Sequence, residues 1–152
     1  MSRATAPVVG LLVLLGSVVV AATVVGGAAL QTAPSTPTPH AVVTLSADAT
    51  TNRVTLVHRG GDALDVRRLS LRVSVDGTSL RHQPPVPFFA ARGFRSGPTG
   101  PFNVASDPRW TAGESASFAL ARTNSPGLSP GSDVTVVLVS GGRVVARLHA
   151  VA

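Results

Sequence analysis

Residues 69–76 alternate with a period of two: Leu69, Leu71, Val73 and Val75 interleave with Ser70, Arg72, Ser74 and Asp76. Successive side chains of a strand point to opposite faces, so this pattern predicts a strand with one buried and one solvated face. Residues 53–58, RVTLVH, alternate in the same way and run into Arg59-Gly60-Gly61-Asp62, a turn signal. Asp76-Gly77 is a second tight-turn dipeptide. Val134 to Val139 reads as a strand buried on both faces. Gly141-Gly142 then closes a hairpin, with Val144, Ala146 and Leu148 pointing one way and Val145, Arg147 and His149 the other. Phe118 and Leu120 mark a strand before Thr123, and Ala41–Ala47 supplies one more. No helical period follows residue 40. Six or seven short strands predict an all-β immunoglobulin-like sandwich over residues 41–152.

The N-terminus carries a different pattern. From Ala6 to Leu30 there are 25 residues without a charge, mostly Val, Leu, Ala and Gly. As a helix rising 1.5 Å per residue they would extend about 37 Å, enough to cross a bilayer core of roughly 30 Å. The expected order is a leader over 1–4, a hydrophobic transmembrane or filament-core α-helix over 5–30, and a spacer over 31–40. Arg3 precedes the helix and no other basic residue occurs before Arg53, so the positive-inside rule puts the N-terminus in the cytoplasm and the domain outside the cell. The apolar run is longer than a secretory h-region, although Gly27-Ala28-Ala29 would serve as a weak signal-peptidase site. Ala22 and Gly26 sit four apart, on one side of a helix, where small residues permit close helix–helix approach. The spacer QTAPSTPTPH has three prolines at short intervals, which forbid a helix and favour an extended rod.

One stretch breaks the strand pattern. Residues 83–113 hold six prolines and four glycines, together with Phe88, Phe89, Phe94, Phe102 and Trp110, five of the six aromatic residues in the chain. A loop near thirty residues is uncommon in a compact domain, and this aromatic density argues against disorder because the rings need burial. Two readings stand side by side. The rings fold back to cap an open end of the sandwich, or some of them join Arg92, Arg95 and Arg109 in a contact surface for a neighbouring subunit or outside ligand.

Composition narrows the chemistry. The absence of cysteine removes disulfide, thiolate and zinc–thiolate chemistry. All 13 basic residues are arginine, against 7 acids, so the surface is basic and suited to acidic polymers or anionic glycans. His40, His58, His82 and His149 are dispersed, without metal-ligand spacing, and are expected to be surface or strand residues. Asp62 and Asp65 flank a turn without a calcium-loop pattern. There is no nucleophile elbow, phosphate loop or dinucleotide fingerprint, and Glu114 has no carboxylate partner in sequence. Neither catalysis nor a cofactor is expected, and no nucleic-acid partner.

The short leader MSRA followed at once by Thr5-Ala6-Pro7-Val8-Val9-Gly10 resembles the start of archaeal type IV pilins, particularly those of halophiles. In that family a brief basic leader ends in Arg or Lys plus a small residue, and a membrane-embedded prepilin peptidase cuts on the cytoplasmic side, ahead of the helix. The resemblance implies that Arg3 and Ala4 end the leader, that cleavage precedes Thr5, and that Pro7, Val8 and Gly10 open the helix. Ala6 stands where Ser is common. The block PFFAARGF with GPTGPFN is also similar to central segments of halophile pilin-like proteins. The function implied is that of a structural subunit, inserted in the cell membrane, processed, and assembled with other pilin subunits into a surface filament for adhesion. The alternative is a membrane-anchored extracytoplasmic binding module that stays in the bilayer. A secreted polyanion-binding domain is a third option, resting on the arginine excess alone.

Overall fold

The computed structural model describes residues 8–18 and 37–152, and the chain divides into two units, 1–37 and 38–152. In the first unit, residues 8–18 form an α-helix. Among the described residues no helix is long and apolar enough to cross a membrane. The expected span over 5–30 is described only in this eleven-residue part, and Arg3, Ala4, Thr5, Pro7, Ala22 and Gly26 lie outside the described residues.

In the second unit the alternating segments are strands. These are β1 (Ala41–Asp48), β2 (Arg53–Gly61), β3 (Leu64–Asp65), β4 (Leu69–Val75), β5 (Thr78–Ser79), β6 (Arg109–Trp110), β7 (Ser115–Ala119), β8 (Asp133–Ser140) and β9 (Arg143–Val151). One sheet has the order β1-β2-β7 and the other β5-β4-β8-β9, all pairs antiparallel, with a separate two-residue pairing of β3 and β6. The sheets are open, and their inner faces meet in a sandwich-like core. Val43, Val54, Leu56 and Phe118 come from one sheet, and Leu71, Val73, Val136 and Leu138 from the other. Each such side chain contributes roughly 1.5–3 kcal/mol by leaving water. Two of the three turn signals hold: Asp76 and Gly77 have φ of 50° and 78°, and Gly141 and Gly142 of 55° and 79°. Positive φ at both central residues makes the tight turn whose twist matches a hairpin.

Three details differ from the sequence pattern. The glycines expected to turn after His58 instead continue β2, where Gly60 pairs with Val42 and Gly61 with Ala41 beyond an irregularity in the register. The turn begins at Asp62. Strand β8 buries only Val134, Val136 and Leu138, while Thr135, Val137 and Val139 are half-exposed on the outer face. In β9 a bulge opens the register: Leu138 pairs with Ala146, but Val139 pairs with Val144, so Val145 is the extra residue. A bulge reverses the parity of everything beyond it. Val144 is therefore exposed, and Val145 packs toward the core with Ala146 and Leu148.

Strands β1 and β9 contact each other along one side of the sandwich. The opposite flank, between β7 and the two-residue β5, has free backbone edges, and the proline-rich segment closes both. At the β4 edge beyond β5, the Gln83 side chain takes the place of a strand: its Oε1 accepts from Val73 N–H at 2.7 Å and its Nε2 donates to Val73 O at 3.0 Å. At the β7 edge, Thr99 and Ser117 exchange backbone hydrogen bonds of 2.9 and 3.3 Å, and Arg95 N–H donates to Ala119 O at 2.9 Å. Unpaired edge groups would otherwise be left unsatisfied or open to another chain.

Replacing Gln83 with Leu keeps the bulk but removes both bonds to Val73. Denaturant unfolding is expected to show a loss of about 1–2 kcal/mol, because the partly buried Val73 N–H loses its acceptor while Val73 O keeps its bond from Leu80 N–H; an unchanged midpoint would mean that the edge is closed by something else.

Candidate functional site

The aromatic-rich segment divides sharply by burial. Phe88, Phe94, Phe102 and Trp110 are buried, while Phe89 is 60% exposed and Arg92, Arg95 and Arg109 are exposed. Four of the five rings are thus core residues, which removes them from the contact surface. They cover a flank of the sandwich, where an open end was expected. The rings form a continuous chain through the interior. Phe88 meets Phe94 at 5.6 Å between centroids, Phe94 meets Phe118 edge-on at 5.6 Å, Phe118 meets Phe102 at 6.3 Å, and Phe102 meets Trp110 at 5.4 Å. His58 ends the chain, edge-on to Trp110 at 5.6 Å. Tilted and edge-to-face pairs in this range add about 0.5–1.5 kcal/mol each beyond burial. The Trp110 indole N–H donates to Glu114 O at 3.0 Å, so its one polar atom is satisfied.

His58 is a strand residue, as expected, and its complete burial is what the sequence reading did not single out. It is in phase with Val54 and Leu56 on the inward face of β2, and it is fully buried. Its Nε2 lies 2.9 Å from Asp62 O and donates to it, while Nδ1 is buried without a partner among the described residues. The period-two pattern carried the signal, since every second residue from Val54 faces inward. The other histidines lie apart from it: His40 is exposed where the chain enters β1, His82 is half-buried, and His149 Nδ1 pairs with Thr135 Oγ1 at 3.0 Å. Among the described residues no group of three His, Cys, Asp or Glu could hold a metal ion.

A shallow cleft of about 250 Å³ is lined by Ala63, Leu64, Asp65, Arg67, Asp107, Pro108 and Arg109. That volume is below the usual range of small-molecule pockets, roughly 300–1,000 Å³. Arg67 makes two bonds to the Asp65 carboxylate, at 3.0 and 2.8 Å. This Arg67 hydrogen bond is the main cause holding the Asp65 carboxyl below the usual carboxylate range. Asp48 is lowered too, chiefly by the Thr51 hydroxyl and then by the Thr50 N–H. A depressed folded-state value means that each bond contributes above the ordinary carboxylate pKa and is lost as pH falls through the folded one. Both carboxylates are exposed, so these bonds act locally on turns. Glu114 closes a turn as well, its Oε2 accepting from Thr111 N–H and Oγ1 at 2.7 and 2.9 Å.

The helix over 8–18 is apolar on all sides. Val8, Val9, Leu11, Leu12, Val13, Leu14, Leu15 and Val18 are each more than half exposed, and the space around Gly10 and Gly16 is open. Its one polar side chain turns inward on the helix, Ser17 Oγ donating to Leu14 O at 2.8 Å. A helix hydrophobic all round is suited to lipid or to a bundle of other helices.

Comparison with protein-family models gives no match, and comparison with curated proteins gives none either.

Truncating Phe102 to Ala is expected to cost about 3–5 kcal/mol in denaturant unfolding, whereas Phe89→Ala is expected to stay within about 0.5 kcal/mol. Similar costs for the two would contradict this division between core and surface.

Proposed function

We propose that this chain is a type IV pilin-like structural subunit of the archaeal kind. It is inserted in the cell membrane with its N-terminus in the cytoplasm, trimmed by a prepilin peptidase after Ala4, and assembled with other subunits into an adhesive surface filament. The observation that carries this reading is the helix over 8–18, apolar on every face and placed directly after a short basic leader. Such a surface has two favourable environments, lipid before assembly and neighbouring helices after it. Val8 and Gly10 lie at the start of this helix, and the leader Arg3-Ala4 before Thr5-Ala6-Pro7 supplies the expected peptidase signal. Small residues further on, Ala22 and Gly26 among them, would let neighbouring helices approach closely.

The outer domain is proposed to be of the immunoglobulin-like type. Strand order supports this, with β1-β2-β7 matching strands A-B-E and β5-β4-β8-β9 matching C′-C-F-G. In this reading the domain is displayed on the outside, joined to the filament core by the Pro/Thr spacer. Phe89, Arg92 and Arg95 form the exposed part of the contact loop.

Reversing the leader charge tests this directly. In the Arg3→Glu variant, unprocessed precursor should accumulate in the producing cell while the thermal unfolding of the outer domain stays unchanged. Normal trimming of that variant would remove the peptidase reading and favour a protein that stays in the membrane as an anchored binding module.

A further inference from the structure

The end of the outer domain opposite the start of β1 gathers arginines from four separate stretches of chain. The chain enters β1 beside Asp62, where His40 N–H donates to Asp62 Oδ2 at 2.9 Å and Asp62 N–H to His40 O at 2.7 Å. Strand β1 then runs eight residues to Asp48, which pairs with Arg53. At about 3.3 Å per residue that end lies roughly 23 Å away along the strand. Backbone bonds bring the other stretches to it. Leu120 N–H donates to Asn52 O at 2.8 Å, Arg95 N–H to Ala119 O at 2.9 Å, Ala121 N–H to Gly93 O at 3.0 Å, and Arg81 N–H to Ser125 O at 2.8 Å. Buried Asn124 locks the junction: its Oδ1 accepts from His82 N–H at 3.0 Å and its Nδ2 donates to His82 O at 2.9 Å. Gly93 fits against Asn124 with φ of +86°, and an added Cβ would lie 2.9 Å from both Asn124 Nδ2 and His82 Cβ. These bonds hold the stretches that bear Arg53, Arg81, Arg92, Arg95 and Arg122 to one end of the domain, and all five residues are exposed.

Their charge is not cancelled. No acid occurs between residues 80 and 106 or between 115 and 132. The carboxylates at this end are held in turns of their own, Asp48 by Thr50 and Thr51 and Asp76 by Ser132 Oγ and Asp133 N–H, and among the described residues none of Asp48, Asp76 and Asp133 lies within ion-pair distance of these arginines. Among the described residues the ion pair is Arg67–Asp65, elsewhere on the domain, and none of these five arginines takes part in one. Arg53 donates to Ser117 Oγ at 2.9 Å, which fixes its direction without neutralising it.

We infer that this arginine-bearing end binds an anionic polysaccharide, its guanidinium groups pairing with carboxylate or sulfate groups along the polymer. Guanidinium is the side-chain cation best matched to such planar or multi-oxygen anions, through paired N–H bonds. Nucleic acid fits less well. Sequence-tolerant binding of single strands uses aromatic rings on which successive bases stack, and here one ring of the loop, Phe89, is exposed while its neighbours are spent in the core. The inference does not depend on filament assembly, since it concerns the folded domain alone.

The test uses the full chain in a neutral detergent, with polygalacturonate and heparin as probes and DNA, anionic lipid vesicles and neutral dextran as comparisons. Both anionic polysaccharides are expected to bind, with affinity falling at least about tenfold between roughly 50 and 200 mM salt. The combined variant Arg81→Gln, Arg92→Gln, Arg95→Gln and Arg122→Gln should lose about tenfold or more while its unfolding midpoint is unchanged. The single variants Arg92→Gln and Arg122→Gln should each lose part of that. Removing the same kind of charge near the cleft, with Arg67→Gln, Arg68→Gln and Arg109→Gln, should cost less than about twofold. Equal losses from the two sets, no polysaccharide binding, or tighter binding to DNA or vesicles would overturn the inference. A block on leader processing would leave these binding results untouched, so the two proposals fail separately.

Discussion

The contact between Phe118 on β7 and the rings of the proline-rich segment governs the rest of the outer domain. Two open sheets with no disulfide between them meet on one side through β1 and β9, and the other side has only the short β5 and the bare edge of β7. Phe94 and Phe102 pack on Phe118 from outside the regular strands, and Trp110 carries the contact on to His58. Because those rings must be buried, the segment that bears them is drawn across the flank. There its backbone pairs with Ser117 and Ala119, and Gln83 pairs with Val73. Ring burial and edge closure are therefore coupled. Gly100 shows how close the approach is: its φ is +61°, and any Cβ there would collide with the Ser115 carbonyl.

Much of this architecture was legible in the alternation of side chains. Strands β2, β4 and β9 and the turns at Asp76-Gly77 and Gly141-Gly142 follow from period two and turn chemistry, and β8 from its apolar run, all of which are local. What escaped is set by neighbours. The bulge at Val145 is a matter of register between two strands, and no property of Val144 or Val145 alone decides which one faces the core. The glycines of β2 signal a turn by composition, yet Gly61 is needed within the strand because its φ is +93° and the His40 carbonyl presses against it. The aromatic segment was readable as rings needing cover, but composition could not separate exposed Phe89 from buried Phe88. The arginine end was invisible for a similar reason, since Arg53, Arg81, Arg92, Arg95 and Arg122 are spread over 70 positions and are united only by backbone bonds across four segments.

The two units divide the proposed work between two solvents. The helix over 8–18 offers nothing but apolar surface and suits lipid or neighbouring helices. The sandwich buries most of its large apolar side chains and turns its arginines outward, which suits the proposed display in water. The Pro/Thr spacer is the proposed joint between them, since closely spaced prolines disfavour both a helix and an interior strand.

The claim at the centre of this account is that the apolar segment stays in the finished protein, cut ahead of its helix. The intact mass of the protein recovered from the surface of its native cell measures this most directly. A chain beginning at Thr5 is the expected result. A chain beginning near Leu30, with the apolar segment gone, would contradict the account.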